Sequence, residues 1–217
     1  MADLSHALHL LRQYEAGSNT VCIWIAHLDR VLDERFAIEL LDEQELQRAA
    51  AFRFAIHRKR FVAGRACLRI LLASSLACEP KDVHFTYGPW GKPALEGTAL
   101  SFNVAHSEDL AVYAVGGRAQ IGVDVELCRQ VTDADALADR YFSHAERRAL
   151  ASIPSAARGE AFLRCWTRKE AYVKALGEGL YHPLGAFDVS VEPPCWRLFD
   201  LDLPYAAVGT LAVCLAS

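Results

Sequence analysis

The 217-residue sequence contains no run of about 18 apolar residues, so no segment reads as a membrane-spanning helix. Its start, Met1-Ala2-Asp3-Leu4-Ser5-His6, lacks the basic stretch and apolar run of a secretory leader, so none is expected. No two cysteines stand at C-x-x-C spacing, which argues against a zinc site, and their odd number, seven, argues against a closed disulfide framework. Cys22, Cys67, Cys78, Cys128, Cys165, Cys195 and Cys214 lie mostly in apolar surroundings. Reduced, buried core thiols are therefore expected, and with them a cytoplasmic protein. Acidic residues are absent from Leu46 to Ala77, where Arg48, Arg53, Arg58, Lys59, Arg60, Arg65 and Arg69 accumulate. In a chain of net charge −4, such a segment points to a local anion site and not to a nucleic-acid surface. A solvated helix face explains the same charges equally well.

What is present is an ordinary globular composition, 53% hydrophobic and 23% charged, with enough chain for one large domain or two small ones. Residues 21–26 read as an early strand. Asp42 and Glu45 form a capping-box pattern that opens a helix over about 43–51, and a longer helix follows over about 56–76, ended by Glu79-Pro80. Strands are predicted at 83–87, 100–105, 111–115 and 120–126, with a loop at 88–93 and a Gly116-Gly117 turn. The order then recurs. Ser143 and Glu146 make a second capping box, a long helix spans about 157–176 and stops at Gly177, and late strands are expected at 187–191, 196–199 and 209–214. The echo in element order suggests two similar α+β halves, residues 1–118 and 119–217, packed without a flexible linker.

Two segments carry chemistry. The strand at 120–126 places Asp124 and Glu126 on one face and Val123 and Val125 on the other. The helix carries Glu170 and Lys174 one turn apart, with Trp166 one turn earlier. Three carboxylates with hard oxygen donors suit a divalent cation such as Mg²⁺. Two solvated acids at a strand edge and a surface ion pair remain the plainer alternative. His106 ends a strand expected to neighbour the one carrying Asp124, so a phosphate contact is plausible there. Lys92 sits in the loop Gly91-Lys92-Pro93.

The chain resembles the 4′-phosphopantetheinyl transferases of the broad-specificity surfactin-synthetase-activating type. Three ordered blocks carry the likeness: Gly91-Lys92-Pro93 with Phe102-Asn103-Val104-Ala105-His106-Ser107; Gly122-Val123-Asp124-Val125-Glu126; and residues 162–180, which include Trp166-Thr167-Arg168-Lys169-Glu170-Ala171-Tyr172-Val173-Lys174. The resemblance implies two pseudo-symmetric halves, each a small, mostly antiparallel sheet with a long helix, and an active site in the cleft between them. It implies transfer of the phosphopantetheine arm from coenzyme A to a serine of an acyl or peptidyl carrier protein. It also implies a monomer that uses Mg²⁺, with Mn²⁺ as a substitute. Asp124, Glu126 and Glu170 match the metal-site acids. Glu170, Lys174 and Asp124 match the catalytic set, with Glu170 as base toward the serine and Lys174 near the pyrophosphate. Lys92 and His106 match phosphate contacts, and Arg48 and Arg60 match residues facing the adenosine 3′-phosphate; Arg65 matches less well. Ala105 stands where the family usually has Ser, which implies somewhat weaker coenzyme A binding. The residues by themselves also admit a metal-dependent phosphohydrolase, or a coenzyme A-binding regulator with a decayed site. The stretch 128–141 is the candidate docking surface for a carrier.

Overall fold

The computed structural model describes residues 8–177, 179 and 183–215. Met1 to His6, and Glu178 and Leu180 of the third motif block, lie outside the described residues. In chain order the elements are β1 (His9–Ala16), β2 (Asn19–His27), α1 (Glu34–Glu39), α2 (Glu43–Ala50), α3 (Ala55–Leu76), β3 (Phe85–Tyr87), β4 (Pro93–Leu95), β5 (Ser101–Ser107) and β6 (Leu110–Gly116). The second half follows as β7 (Ile121–Leu127), α4 (Ala134–Tyr141), α5 (His144–Ala151), α6 (Ser155–Leu176), β8 (Trp196–Asp200) and β9 (Ala207–Cys214). One sheet has the order β1-β2-β6-β5, a second β7-β9-β8, and β3 pairs with β4 as a hairpin. All pairings are antiparallel.

Strand alternation builds the layers. Val21, Ile23, Ile25, Val112 and Ala114 of the first sheet meet Ile121, Val123, Val125, Leu211 and Val213 of the second in one core. The opposite face of the first sheet, with Ala26, Ala111, Tyr113 and Val115, packs on Leu68 and Leu72 of α3. Ala171 and Ala175 of α6 pack on Ala212, Trp196 and Leu198 of the second sheet. Each sheet is thus covered by a 22-residue helix.

The echo between halves has an electrostatic basis. Both predicted capping boxes form: the Glu45 N–H donates to Asp42 Oδ1 at 2.8 Å, and the Glu146 N–H donates to Ser143 Oγ at 3.1 Å. Both capping glutamates are buried, each 4% exposed, and each meets a fully buried cation on the following long helix. Arg69 Nε donates to Glu45 Oε2 at 2.6 Å, and Lys169 Nζ lies 2.8 Å from Glu146 Oε2. The two cations hold the same place in their helices, counted from Ala55 and from Ser155. Their other protons reach the next connection: Arg69 donates to the carbonyls of Pro80 and Val83, and Lys169 to those of Leu184 and Phe187. A buried charge needs such full satisfaction, because an unpaired one costs several kcal/mol.

Some expectations are corrected. Residues 187–191 form no strand. Their backbone is engaged by side chains instead: Val189 N–H donates to Glu146 Oε1, and Val189 C=O accepts from Arg168 Nε. The strand expected at 83–87 begins only at Phe85, and α3 ends at Leu76, with Ala77 left-handed (φ 53°), before Pro80 is reached. All seven cysteines are unbridged, but only Cys67 is buried; Cys78, Cys128 and Cys195 are exposed. β1, α1, β4 and α4 are additions to the predicted elements.

The second sheet meets α6 at Gly122. A Cβ there would lie 2.1 Å from the Ala171 carbonyl oxygen and 2.4 Å from the Ala175 nitrogen. Both obstacles are helix backbone, so Gly122→Ala must push α6 off the strand. It is expected to destabilise the fold by about 1–3 kcal/mol, read as a lowered midpoint in thermal or urea unfolding. An unchanged midpoint would show that the contact is looser than described.

Candidate functional site

Strand β7 alternates as predicted: Ile121, Val123 and Val125 enter the core between the sheets, and Gly122, Asp124 and Glu126 take the other face, where Gly122 lies against α6. Glu170 and Lys174 come from the facing helix. Lys174 Nζ donates to Asp124 Oδ1 at 2.7 Å. Lys174 therefore pairs across to a strand residue, Asp124. Asp124 is buried, and its Oδ2 has no hydrogen-bond partner. Burial pushes its carboxyl up to about 6, against the lowering effect of Lys174, with Glu170 and Glu126 adding to the rise. Glu170 is raised as well, first by burial and then by Glu126, again opposed by Lys174. Glu126 is held from β5, where Ser107 Oγ donates to its Oε2 at 2.9 Å.

Among the described residues no three of His, Cys, Asp and Glu stand close enough to cage a metal ion unaided. The three predicted acids nevertheless share one electrostatic neighbourhood, since each raises or is raised by another. Their donor set, all carboxylate oxygen, and the orphaned Asp124 Oδ2 fit a hard divalent cation. Lys174 compensates the acids from within the chain.

Strands β5 and β7 belong to different sheets, yet side chains sew them together. The Val123 N–H donates to Asn103 Oδ1 at 2.8 Å, and the Leu127 N–H donates to Ser107 Oγ at 3.2 Å. This seam brings His106 beside the acidic cluster. The His106 pKa is lowered, chiefly by burial and then by Lys174, with Arg60 acting the same way and Glu126 opposing. His106 therefore senses Arg60 on one side and the Lys174–Glu126 group on the other.

Next to His106 lies a groove of about 470 Å³ lined by Arg48, Phe52, His57, Arg60, Phe61, Gly64, Arg65 and Asn103, among others. Arg60 is preset in it: Nε and Nη2 donate to Asp29 at 2.9 Å each, and Nη1 donates to Glu108 at 2.8 Å. Arg48 lies over the Phe61 ring, 5.3 Å from its centroid. Arg65 pairs with Glu45, but its Nη2 is buried without a partner. Most other cations of the basic segment serve the fold. Arg69 is buried, Arg58 pairs with Glu34 at 3.1 Å, and Lys59 donates to the Asp29 carbonyl at 2.8 Å.

The structure thus gathers Arg48, Arg60 and His106 at one groove, and Asp124, Glu126, Glu170 and Lys174 at its side. It sets Lys92 apart. Lys92 lines a neighbouring cavity with Arg118, and its Nζ donates to the carbonyls of Ile121 at 3.1 Å and Ala175 at 2.9 Å. These bonds take two of the three ammonium protons. Ala105 is buried in the core between the sheets and is not among the groove-lining residues. Sequence reasoning overlooked His57 and Phe61, although their spacing from Arg60, Gly64 and Arg65 places all five on one side of α3. It also overlooked Asp29 and Glu108, whose distance in sequence from Arg60 left no signal. The candidate docking stretch divides. Residues 128–132, 134 and 135 line a cleft with the start of α6, and Arg140 and Tyr141 line a cavity that also contains Glu170.

The chain is similar to known proteins along most of its length. Residues 120–205 match the 4′-phosphopantetheinyl transferase superfamily, and residues 32–117 match the N-terminal region of a 4′-phosphopantetheinyl transferase family. The chain is 37% identical over 210 residues to the 4′-phosphopantetheinyl transferase HetI of Nostoc sp., covering 90% of this chain and 88% of that protein. It is 33% identical over 185 residues to 4′-phosphopantetheinyl transferase psf-1 of Bacillus pumilus, covering 77% and 76%. A Bacillus subtilis 4′-phosphopantetheinyl transferase is 26% identical over 212 residues, covering 89% and 92%. With both halves matched and 88% of HetI covered at 37% identity, the chain belongs to the 4′-phosphopantetheinyl transferase superfamily and is an enzyme of that transferase class.

Proposed function

We propose that the enzyme moves the 4′-phosphopantetheine arm of coenzyme A onto a serine hydroxyl of an apo acyl or peptidyl carrier protein, releasing adenosine 3′,5′-bisphosphate. The observation that carries this reading is the position of His106. It joins a cationic groove, lined by Arg48, Arg60 and Arg65, to the Asp124–Glu126–Glu170–Lys174 cluster. A ligand with phosphate at two separated places, such as coenzyme A, suits one cationic end and one acid–lysine end. The unpartnered Arg65 Nη2 supports an anion in the groove.

Asp124, Glu126 and Glu170 would hold the Mg²⁺, which when bound offsets negative charge on the pyrophosphate. The chain's own groups do the rest. Lys174 and His106 stabilise charge on the departing bisphosphate. Glu170 takes the serine proton, directly or through one water, and its raised pKa brings a carboxylate nearer the strength a base needs at neutral pH. The serine oxygen attacks the β-phosphorus. A new P–O bond forms as the bond to the bridging oxygen breaks, and that electron pair leaves with the bisphosphate. Arg140 and Tyr141, beside Glu170, place the carrier on the α4 side. Unbridged cysteines support a reducing, cytoplasmic setting, and the presence of both family regions in one chain supports a monomer.

The direct test is mass spectrometry of several apo carriers incubated with the enzyme, coenzyme A and Mg²⁺. A phosphopantetheine mass increment is expected; no increment on any carrier would reject the proposal. Glu170→Gln is expected to lower kcat by about 100-fold or more, with coenzyme A binding retained in calorimetry. A kcat within a few-fold of the wild type would remove Glu170 from the proton transfer.

The raised carboxyls also fix the sign of a pH effect. Asp124 titrates near 6 in the fold, above an ordinary carboxyl. Between about 4 and 6 the folded state therefore binds the extra proton, and stability falls as pH rises through that window. Activity moves the other way, because the site must be ionised. In the metal-free protein, divalent-cation affinity is expected to fall as pH drops through about 6, because protons and cation compete for the coupled acids. Titration calorimetry checks it, and an affinity unchanged down to about pH 4 would contradict the raised Asp124 carboxyl.

A further inference from the structure

We infer that Lys92 is a positioning residue that fastens the end of α6 to the start of β7, and not a ligand of the substrate phosphates; the inference rests on the transferase reading above.

Three observations meet on this side chain. Its ammonium donates to the Ala175 carbonyl at 2.9 Å and to the Ile121 carbonyl at 3.1 Å. Ala175 lies in the last turn of α6, whose final carbonyls have no partner within the helix. An ammonium group there satisfies one of them and complements the negative end of the helix dipole. The stem of Lys92 also faces the residue that ends the helix. Gly177 is left-handed (φ +77°), and a Cβ on it would lie 3.2 Å from Lys92 Cδ. Finally, the backbone of Lys92 is fixed by its own turn, with the Gly88 N–H donating to the Lys92 carbonyl and the Gly91 N–H to the Gly88 carbonyl.

The two carbonyls flank the pair that matters. Ile121 is three residues before Asp124 on β7, and Ala175 follows Lys174 on α6. Lys92 comes from the other half of the chain, so it clamps both elements against the β3–β4 hairpin. Burial lowers the Lys92 pKa to about 8, and no acid is among the causes. Its partners are neutral carbonyls, which suits a fastener.

The experiment uses Lys92→Met, which keeps the stem and removes the donors, and Lys92→Arg, which keeps a charge with a different reach. Three readouts are compared with wild type: kcat and KM for coenzyme A on an apo carrier, coenzyme A affinity by calorimetry without carrier, and backbone hydrogen exchange. Lys92→Met is expected to lower kcat by about ten- to a hundredfold through a misplaced Asp124–Lys174 pair. Coenzyme A affinity should hold within about twofold, and exchange should quicken over 121–124 and 171–177. Lys92→Arg is expected to restore part of the loss. A large fall in coenzyme A affinity with normal kcat and unchanged exchange would overturn the inference, as would no change in any readout. If wild type transfers nothing, the transferase reading fails, while the exchange data still judge the clamp. If Lys92→Met does not fold, exchange in Lys92→Arg decides: unaltered protection at 121–124 and 171–177 overturns the clamp.

Discussion

The contact of β7 with α6 at Gly122 is the constraint on which the site depends. No side chain larger than hydrogen fits between the strand and the backbone of Ala171 and Ala175. That closeness lets a lysine on the helix reach an aspartate on the strand at 2.7 Å, and it buries the aspartate as it does so. A wider spacing would admit water, lower the Asp124 carboxyl toward its ordinary range and loosen the grouping of three acids with one lysine. The reactive geometry follows from backbone packing, and the charged side chains occupy the positions that packing leaves them.

Holding two elements this close needs rigid supports, and the molecule uses one device twice. A capping-box glutamate is buried under the following long helix and neutralised by its cation, Arg69 in one half and Lys169 in the other. Each cation then anchors the next connection through carbonyls. The two supported halves are joined by Asn103 and Ser107, which bond to β7 where a sheet ladder would otherwise run. Ser107 also orients Glu126, so the seam between halves and the acidic cluster share a residue.

This economy explains what the sequence revealed and what it hid. The capping boxes, the long helices and the alternation of β7 were legible because each is local. Strand β1 was not, because a register shift between Leu10 and Arg12 breaks its period of two. Helix α4 spans only eight residues, and its N-cap Asp133 makes no side-chain cap bond and stands outside any capping box. Residues 187–191 look like a strand in composition, but their backbone is satisfied by Glu146, Lys169 and Arg168, which only the fold brings near. The acids of the site were readable by type and spacing. The basic segment was readable only as a sum: its charges divide between the groove and the fold according to contacts with Glu45, Asp29 and Glu34.

The electrostatics of the cluster point to a site whose charge is balanced by what it binds. Asp124, Glu126 and Glu170 face the internal cation Lys174, and His106 is held toward its neutral form by burial first, then by that same lysine and by Arg60. Burial makes each uncompensated carboxylate costly, which is why Asp124 and Glu170 hold their protons more tightly than free acids. A divalent cation would relieve that repulsion, and a phosphate would then compete for Lys174. The pairing of Lys174 with Asp124 offsets one of the three acids with the chain's own residues and leaves Asp124 Oδ2 without a hydrogen-bond partner.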